Sequence, residues 1–226
     1  MKDDVFLSAI FGIPWKIAQN LNDIDIIDSF PKGTKIDISI NEDILDSIGR
    51  LIRKGWYLGN TKIIFERTPG NFIPKIHNVE FQFESLKPKD YDVLLTKGPT
   101  IFINDRYHLD PNLNKDKILN LYKSWIKNNI ETRTKEILIA KSNDKLIGFL
   151  SVIESGSKYY FELIGTLPDG KGLGVGKSLI QFATQRYNNE HILVTTQFHN
   201  IAMQRCLVKS GYLPVSTEYI YTIHVE

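Results

Sequence analysis

The sequence has little cysteine and little net charge. Its 226 residues include a single cysteine, Cys206, which excludes a disulfide within the chain and makes the usual cysteine-rich zinc site unexpected. The 28 basic and 26 acidic residues give a net charge of +2, so electrostatics give no reason to expect nucleic acid or a membrane as the main partner. We therefore expect a chain that binds neither of them and requires no metal.

Long apolar runs are also absent. No stretch approaches the ~18 consecutive apolar residues of a transmembrane helix. The start, Met1-Lys2-Asp3-Asp4, is followed by only a short apolar segment without the pattern of a signal peptide. Apolar residues make up 42% and charged residues 24%, as in ordinary globular proteins. We expect a cytoplasmic protein with one large domain or two smaller ones.

Apolar spacing and turn residues divide the chain into two predicted units. The first, residues 1–98, is predicted as a small α/β domain with a helix over Asp43–Lys54, ended by Gly55, and a strand over Thr61–Glu66. Residues 71–100 show no clear periodicity and are predicted to contain the linker.

The second predicted unit, residues 99–226, has the order helix, three strands, helix, strand, helix, strand. The predicted elements are Asn114–Asn129, Glu136–Ala140, Leu146–Ile153, Tyr159–Leu167, Gly172–Tyr187, His191–Thr196, Ile201–Ser210 and Thr217–Val225. Each unit contains a helix that ends at Lys/Ser-Gly-aromatic and is followed by a strand. This echo indicates either a shared half-fold or the same local cap used twice.

The most informative segment is the glycine-rich run after the strand Tyr159–Leu167. Backbone N–H groups of such a turn, together with the partial positive charge of a helix N-terminus, suit a pyrophosphate. A Walker A loop is excluded because Lys171 occupies the position of its first glycine. A dinucleotide fingerprint is excluded because the spacing is G-x-G-x-G and the preceding strand ends an antiparallel series.

The run resembles the acyl-coenzyme A loop of the GNAT acyltransferases, whose pattern is Arg/Gln-x-x-Gly-x-Gly/Ala. Gly174 and Gly176 match it, and Lys171 stands in the first position, where it keeps the positive charge but lacks the planar fork of arginine. The element order of the second unit also matches that family. The resemblance implies an α/β (α+β) GNAT fold: a central, mixed, mostly antiparallel sheet flanked by helices, with a smaller N-terminal domain on the acceptor side. It further implies acyl-coenzyme A as co-substrate.

The coenzyme A residues implied by the resemblance lie on the preceding strand, on the loop and on the next-to-last element. They are Leu163, Ile164, Gly165, Thr166, Lys171, Gly172, Leu173, Gly174, Val175, Gly176, Lys177, Ser178, Asn200 and Met203. In the downstream segment the family's Asn, Gly and aromatic positions are kept, whereas Met203 fills the Ala position and Leu207 the Tyr position.

A closer resemblance, to the dTDP-fucosamine acetyltransferases, covers the whole chain. It is carried by Phe11–Pro14, Asp43–Glu66, Asp105–Ile126 and the loop and C-terminal segments. It implies transfer of acetyl, or a hydroxyacyl group such as hydroxybutyryl, to the amine of a dTDP-linked amino-deoxy sugar for lipopolysaccharide or O-antigen, by a homodimer. The candidate acceptor residues are Phe11, Arg106, His108 and His199. For Arg106 and His108 a solvated turn is the alternative, and for His199 a structural or solvated loop.

Leu207 leaves the usual tyrosine proton donor missing, and two residues are candidate substitutes. Glu162 lies on the central strand, on one face with Tyr160 and Ile164, and is a candidate base. Cys206 lies beside the Tyr position. The alternatives are a surface carboxylate, a buried apolar thiol, or no side-chain catalyst, since an amine is a strong nucleophile and a thiolate leaves readily.

Two other functions stay open at this point. The same fold acts on other amines, such as a peptide N-terminus, a lysine, an aminoglycoside or a polyamine, and an acidic acceptor cleft would favour these. A non-catalytic module that binds acyl-coenzyme A is favoured by the missing tyrosine and opposed by the intact glycine loop.

Overall fold

The computed structural model describes residues 1–41, 47–70, 75–76, 80–103 and 105–226. The chain divides into two compact units. Unit 1 comprises Met1–Ile63, Asn104–Leu121 and Ser216–Glu226, and unit 2 comprises Ile64–Ile103 and Tyr122–Val215. The contiguous division at residue 98 that the sequence predicts thus differs from these interleaved units. As a separation of acceptor and coenzyme A functions, it stays a prediction.

The chain alternates between short helices and strands. The helices are α1 (Val5–Phe11), α2 (Ile48–Arg53), α3 (Tyr91–Lys97), α4 (Arg106–Leu109), α5 (Lys115–Asn128), α6 (Val175–Arg186) and α7 (Ile201–Lys209). The strands are β1 (Lys2–Asp3), β2 (Trp15–Ala18), β3 (Lys35–Ile40), β4 (Tyr57–Arg67), β5 (Gln82–Ser85), β6 (Glu136–Ser142), β7 (Lys145–Ser155), β8 (Lys158–Thr166), β9 (His191–Gln197) and β10 (Leu213–His224).

Unit 1 contains strands in the order β1-β2-β3-β10-β4. β2 and β3 run parallel, whereas β3 and β10 run antiparallel. The sequence of β3 alternates, so Ile36, Ile38 and Ile40 enter one apolar core, each 2% exposed or less. The charged residues Lys35 and Asp37 alternate with them and therefore belong to the opposite face of the strand.

Unit 2 contains strands in the order β4-β9-β8-β7-β6-β5. Of β4, residues 57–63 belong to unit 1 and residues 64–67 to unit 2. The pairs from β5 to β8 are antiparallel, and β8 and β9 are parallel. Residues of α6, among them Val175 and Leu179, form an apolar cluster with Ile147 of β7, and a second cluster joins α3 and α5 to the sheet. The predicted mixed, mostly antiparallel sheet with flanking helices is confirmed.

The elements predicted for the second half of the chain agree with the structure within a few residues at each end. Residues 43–46 of the helix predicted over Asp43–Lys54 lie outside the described residues. Residues 80–100 contain β5 and α3, so the linker predicted across 71–100 is wrong for this part of it. Both elements are short, four and seven residues, and too brief to show a periodic pattern.

The echo between the two halves of the sequence corresponds to one cap used twice. Gly55 after α2 and Gly211 after α7 have φ angles of +84° and +85°. Trp56 donates its N–H to the carbonyl of Leu51, and Tyr212 to that of Leu207, each at 3.1 Å. A strand, β4 or β10, follows in each case.

Candidate functional site

β8 and β9 form a parallel pair that separates halfway along. Their ladder joins Lys158–Phe161 to His191–Val194, while β8 continues to Thr166 and β9 to Gln197. On its other side β8 stays paired with β7 as far as Thr166. The edge of β8 that faces β9 therefore presents backbone groups with which a ligand can pair like an added strand. This edge contains four predicted coenzyme A residues, Leu163, Ile164, Gly165 and Thr166.

A β-bulge lies where the two strands separate. The register of β7 and β8 shifts between Leu150 and Val152, where Glu162 and Leu163 together face the single residue Ser151. Exposure alternates along β8, with Leu163 buried and Glu162 half-buried. The candidate base thus occupies the first position beyond the β8–β9 ladder.

The amide of Asn129 holds Glu162 from the buried side. Its Nδ2 lies 3.2 Å from Ser151 Oγ and 3.5 Å from Glu162 Oε2. Asn129 is 1% exposed and begins the π-helical turn that follows α5, a geometry often found at functional sites. The carboxylate therefore has a fixed neighbour, which a base needs if it is to meet an amine in one geometry.

The glycine-rich loop begins directly after β8. Gly172 and Gly174 have φ angles of +83° and +79°, in the left-handed region that favours glycine. Gly174 is the N-cap of α6, and no side chain caps this helix. The first bond within the helix runs from Ser178 N–H to the Gly174 carbonyl, at 3.0 Å. The preceding N–H groups of α6 thus have no acceptor inside the helix.

Charges around the loop suit an anion. Lys171 is exposed and Lys177 is half-buried at the start of α6. Asp169, the acidic residue of the loop, is bound by Lys97 at 2.8 Å, and that contact lowers the pKa of the Asp169 carboxyl. Its negative charge is thus balanced, and the helix N-terminus remains attractive to a pyrophosphate.

The predicted residues around α7 have different environments. Asn200 is the N-cap, and its side chain accepts the N–H of Met203 at 3.2 Å. Met203 is half-buried, and His199 is exposed in the preceding turn. Asn200 therefore fixes the start of the helix, while its contact with coenzyme A stays a prediction.

Leu207, in the position of the missing tyrosine, is 0% exposed and forms part of the apolar core. The neighbouring Cys206 is half-buried, and burial raises the pKa of its thiol. At neutral pH the thiol is therefore protonated, as a proton donor must be.

Unit 1 contains a cavity of about 270 Å³ with a polar floor. Asp37 does not line the cavity but accepts hydrogen bonds from three residues that do. Its Oδ2 accepts the indole N–H of Trp15 at 3.0 Å and a guanidinium N–H of Arg106 at 2.7 Å. Its Oδ1 accepts the hydroxyl of Thr222 at 2.5 Å. The charge of the Asp37 carboxylate is thus fully paired although the residue is buried.

Asp110, which lines the cavity, is the second buried carboxylate with several partners. It is paired with Lys35 and lies 3.5 Å from Nε2 of His224, while Tyr57 donates its hydroxyl at 3.3 Å. Burial raises the pKa of Asp110, but the hydrogen bonds from His224 and Lys35 outweigh it and hold the pKa well below its usual range. Burial lowers the pKa of Lys35 more than its contact with Asp110 raises it.

Three of the predicted acceptor residues belong to unit 1. Arg106 lines the cavity. His108 is held by the N-cap of α4, with Nδ1 2.7 Å from Asp105 Oδ2, and does not line it. Phe11 is 4% exposed and packs against Trp15 and Tyr107, which do line it. The fourth, His199, belongs to unit 2. As substrate contacts, all four stay predictions.

Four residues of the cavity and its surroundings were not predicted from the sequence: Lys35 and Tyr57 line the cavity, and Asp37 and His224 contact residues that line it. These residues come from β3, β4 and β10, segments far apart in the chain. One signal was present: in Lys-Ile-Asp-Ile-Ser-Ile, charges alternate with isoleucines, which predicts a strand with a charged face. In the part of the chain that the structure describes, no three His, Cys, Asp or Glu side chains group as metal ligands. Nor is any described helix long and apolar enough to span a membrane.

Comparison with known proteins gives a family model and a curated relative. The model of the acetyltransferase (GNAT) family matches residues 102–212. The spore coat polysaccharide biosynthesis protein SpsD of Bacillus subtilis (strain 168) is 25% identical over 146 residues, which cover 63% of this chain and 50% of SpsD. The matched segment thus spans half the length of this curated relative.

Solved structures share the fold. A functionally unknown conserved protein from Staphylococcus epidermidis ATCC 12228 is 14% identical with a TM-score of 0.64, over 95% of this chain and 85% of that one. A GCN5-related N-acetyltransferase from Sphaerobacter thermophilus is 12% identical with a TM-score of 0.61, over 84% of this chain and 60% of that one. At these identities the likeness concerns the fold alone.

Gly172→Ala should weaken coenzyme A binding about tenfold, which corresponds to ~1.4 kcal/mol. The φ of +83° strains alanine by ~1–2 kcal/mol, and the loop relaxes by turning its N–H groups away from their common point. Gly156→Ala is the matched control, because Gly156 also has positive φ and no atom lies within 4 Å of a Cβ built at either site. Calorimetric titration with coenzyme A should show the loss in the first variant only, and equal losses in both would contradict the assignment of the loop.

Asp110→Asn should reduce the loss of folding stability that occurs as the pH falls from 6 to 2. The lowered pKa of Asp110 means that its ion pair stabilises the fold above the unfolded-state pKa of ~3.9 and that this contribution disappears as the pH falls below that value. The variant should therefore be less stable at pH 7 and lose less stability between pH 6 and 2, as measured by urea unfolding. The same substitution at the exposed Asp28 should leave the acid limb unchanged. A wild-type slope in Asp110→Asn would contradict this account.

Proposed function

Because residues 102–212 match the model of the acetyltransferase (GNAT) family, we propose that this protein transfers an acyl group from acyl-coenzyme A to an amine. One observation carries the proposal: an uncapped, glycine-rich helix start follows a strand whose edge separates from its parallel neighbour. The first feature suits a pyrophosphate and the second suits the amide groups of a pantetheine arm. The family and the fold predicted from the sequence are confirmed, and the reaction is inferred from them.

The reaction follows from this placement. The pyrophosphate lies on the N–H groups at the start of α6, and the pantetheine arm pairs with β8. A neutral amine attacks the thioester carbon, and a C–N bond forms. A backbone N–H of β8 near Ile164 or Gly165 stabilises the tetrahedral oxyanion. The C–S bond then breaks, and the thiolate leaves with the electron pair.

Two protons move in this reaction. The attacking amine loses one, and Glu162, at the bulge where the strands separate, is the proposed base. The leaving thiolate gains one. Because the buried side chain of Leu207 has no ionisable proton, the proposed donor is the protonated thiol of Cys206.

The acceptor that we propose is the amine of a dTDP-linked amino-deoxy sugar, and the acyl group is acetyl or a hydroxyacyl group such as hydroxybutyryl. The name of SpsD, a spore coat polysaccharide biosynthesis protein, supports a sugar acceptor in surface polysaccharide synthesis. A homodimer in the cytoplasm is the proposed working form. The buried leucine in the tyrosine position favours a second candidate, a module that binds acyl-coenzyme A without turnover.

The test is release of the coenzyme A thiol, followed with acetyl- and hydroxybutyryl-coenzyme A against dTDP-amino sugars, aminoglycosides, polyamines and peptides. We expect turnover with a dTDP-amino sugar. Turnover with another amine alone would overturn the sugar assignment and keep the reaction. Coenzyme A binding without turnover on any amine would favour the non-catalytic module.

Glu162→Gln should lower kcat by about 10²-fold or more, because a positioned base contributes ~10²–10⁴ to such a rate. KM for acyl-coenzyme A should stay within about twofold, since the loop and the backbone of β8 are unchanged. Glu154→Gln is the control: this carboxylate lies exposed on β7 and pairs with Lys135. Steady-state rates between pH 6 and 9 separate the two variants. A Glu162→Gln enzyme with wild-type kcat at every pH would exclude Glu162 as the base.

A further inference from the structure

The polar cavity of unit 1 offers more donors than the protein uses. The guanidinium of Arg106 carries five N–H groups. Among the described residues it donates one to Asp37 and one to the hydroxyl of Tyr107, at 2.7 and 3.0 Å. Three of its N–H groups remain for a ligand, although only 16% of the side chain is exposed. Because Arg106 lines the cavity, these N–H groups are available to a ligand there.

The positive and negative charges of the cavity lining and of the neighbouring Asp37 are equal in number. Lys35 and Arg106 supply two positive charges, and Asp37 and Asp110 supply two negative ones, each in contact with its partner. His224 contacts both Lys35 and Asp110. A phosphate or carboxylate would find no net attraction here. A hydroxyl group, which donates and accepts at once, matches a floor that presents both signs.

The rim of the cavity is apolar, unlike its floor. Tyr57, Leu58 and Leu109 line it and are 38%, 51% and 65% exposed. The ring of Tyr57 is stacked on His224 with an interplanar angle of 3°, so its orientation is fixed. Burial and the Asp110 carboxylate raise the pKa of Tyr57, which keeps its hydroxyl protonated and able to donate. A ligand for this site needs one hydroxyl-rich side and one C–H side.

The size of the cavity limits the ligand further. Its volume of about 270 Å³ lies just below the ~300–1,000 Å³ of sites that hold drug-sized molecules. It therefore suits a single ring rather than an entire nucleotide sugar. A pyranose ring has this size, carries hydroxyls on its edges and presents a C–H face that packs on an aromatic ring.

We infer that this cavity is a carbohydrate site, which holds one neutral pyranose ring with its hydroxyls on Arg106, Lys35 and Asp110 and its C–H face towards Tyr57. The choice of a sugar over another polyol rests on the proposed function, whereas the site itself rests on unit 1 alone. A phosphate site is the alternative occupant, and the experiment distinguishes it.

The experiment uses the full chain, with methyl hexopyranosides, dTDP and inorganic pyrophosphate as separate probes in saturation-transfer NMR and calorimetry. We expect at least one pyranoside to bind with a millimolar Kd, without displacement by pyrophosphate. Displacement by pyrophosphate would show an anion site and overturn the inference. So would the absence of pyranoside binding up to 50 mM, about fifty times the ~1 mM Kd that corresponds to a binding free energy of ~4 kcal/mol.

Three variants locate the site. Arg106→Lys keeps the charge beside Asp37 but loses the planar fork, and should weaken pyranoside binding about tenfold. Tyr57→Phe keeps the ring and loses one hydroxyl, and should weaken it about threefold, with less risk to folding. Arg50→Lys, at the exposed pair with Asp25, is the control and should bind like the wild type. Pyranoside binding unchanged in both cavity variants would overturn the inference.

Coenzyme A binding and thiol release separate this inference from the proposed function. The cavity variants should bind coenzyme A as the wild type does, because the glycine loop belongs to unit 2. If the variants weaken pyranoside binding and no amine is turned over, the carbohydrate site is supported and the transferase function is contradicted. If a dTDP-amino sugar is turned over and the variants bind pyranosides as the wild type does, only the carbohydrate site is contradicted.

Discussion

The arrangement of unit 2 depends on where one β-strand stops pairing with its neighbour. β8 pairs with β7 on both sides of the bulge at Glu162 and Leu163, as far as Thr166, but shares a ladder with β9 only as far as Phe161. Backbone groups in a sheet need hydrogen-bond partners, so a strand that separates from its neighbour offers these groups to water or to a ligand. The bulge at Glu162 and the glycine loop both lie along this same strand and its continuation. The proposed sites for the pantetheine arm, the base and the pyrophosphate thus all lie along one departure from regular strand pairing.

Unit 1 is governed by a different constraint, the pairing of buried charge. Asp37 and Asp110 each collect donors from several segments, because an unpaired carboxylate at these positions would cost several kcal/mol. The result is a floor with both signs of charge and little net field. The cavity therefore differs in charge from the loop of unit 2, whose lysines and helix N-terminus carry positive charge. We therefore propose an anionic ligand for the loop and a hydroxylated one for the cavity.

Much of unit 2 could be predicted because its signals are local. The start of α6 follows from Gly172 and Gly174, which adopt positive φ, and the strands from β6 to β8 follow from apolar runs bounded by turns. Short elements such as β5 and α3 carry too few residues for a period to appear. The environment of Leu207 was also beyond prediction, since its full burial depends on what packs around α7.

The sequence by itself determined the glycine-rich loop, the alternation of β3 and the resemblance of residues 102–212 to the GNAT family, because each depends on residue types and their spacing along the chain. Only the tertiary structure decided that Lys35, Tyr57, Arg106, Asp110 and His224 meet around one cavity. Their segments are separated by tens to more than a hundred residues, and the strand pairing that joins β3 to β10 is a long-range contact. Local spacing cannot encode such a meeting, since burial and charge pairing are settled only when the whole chain is folded.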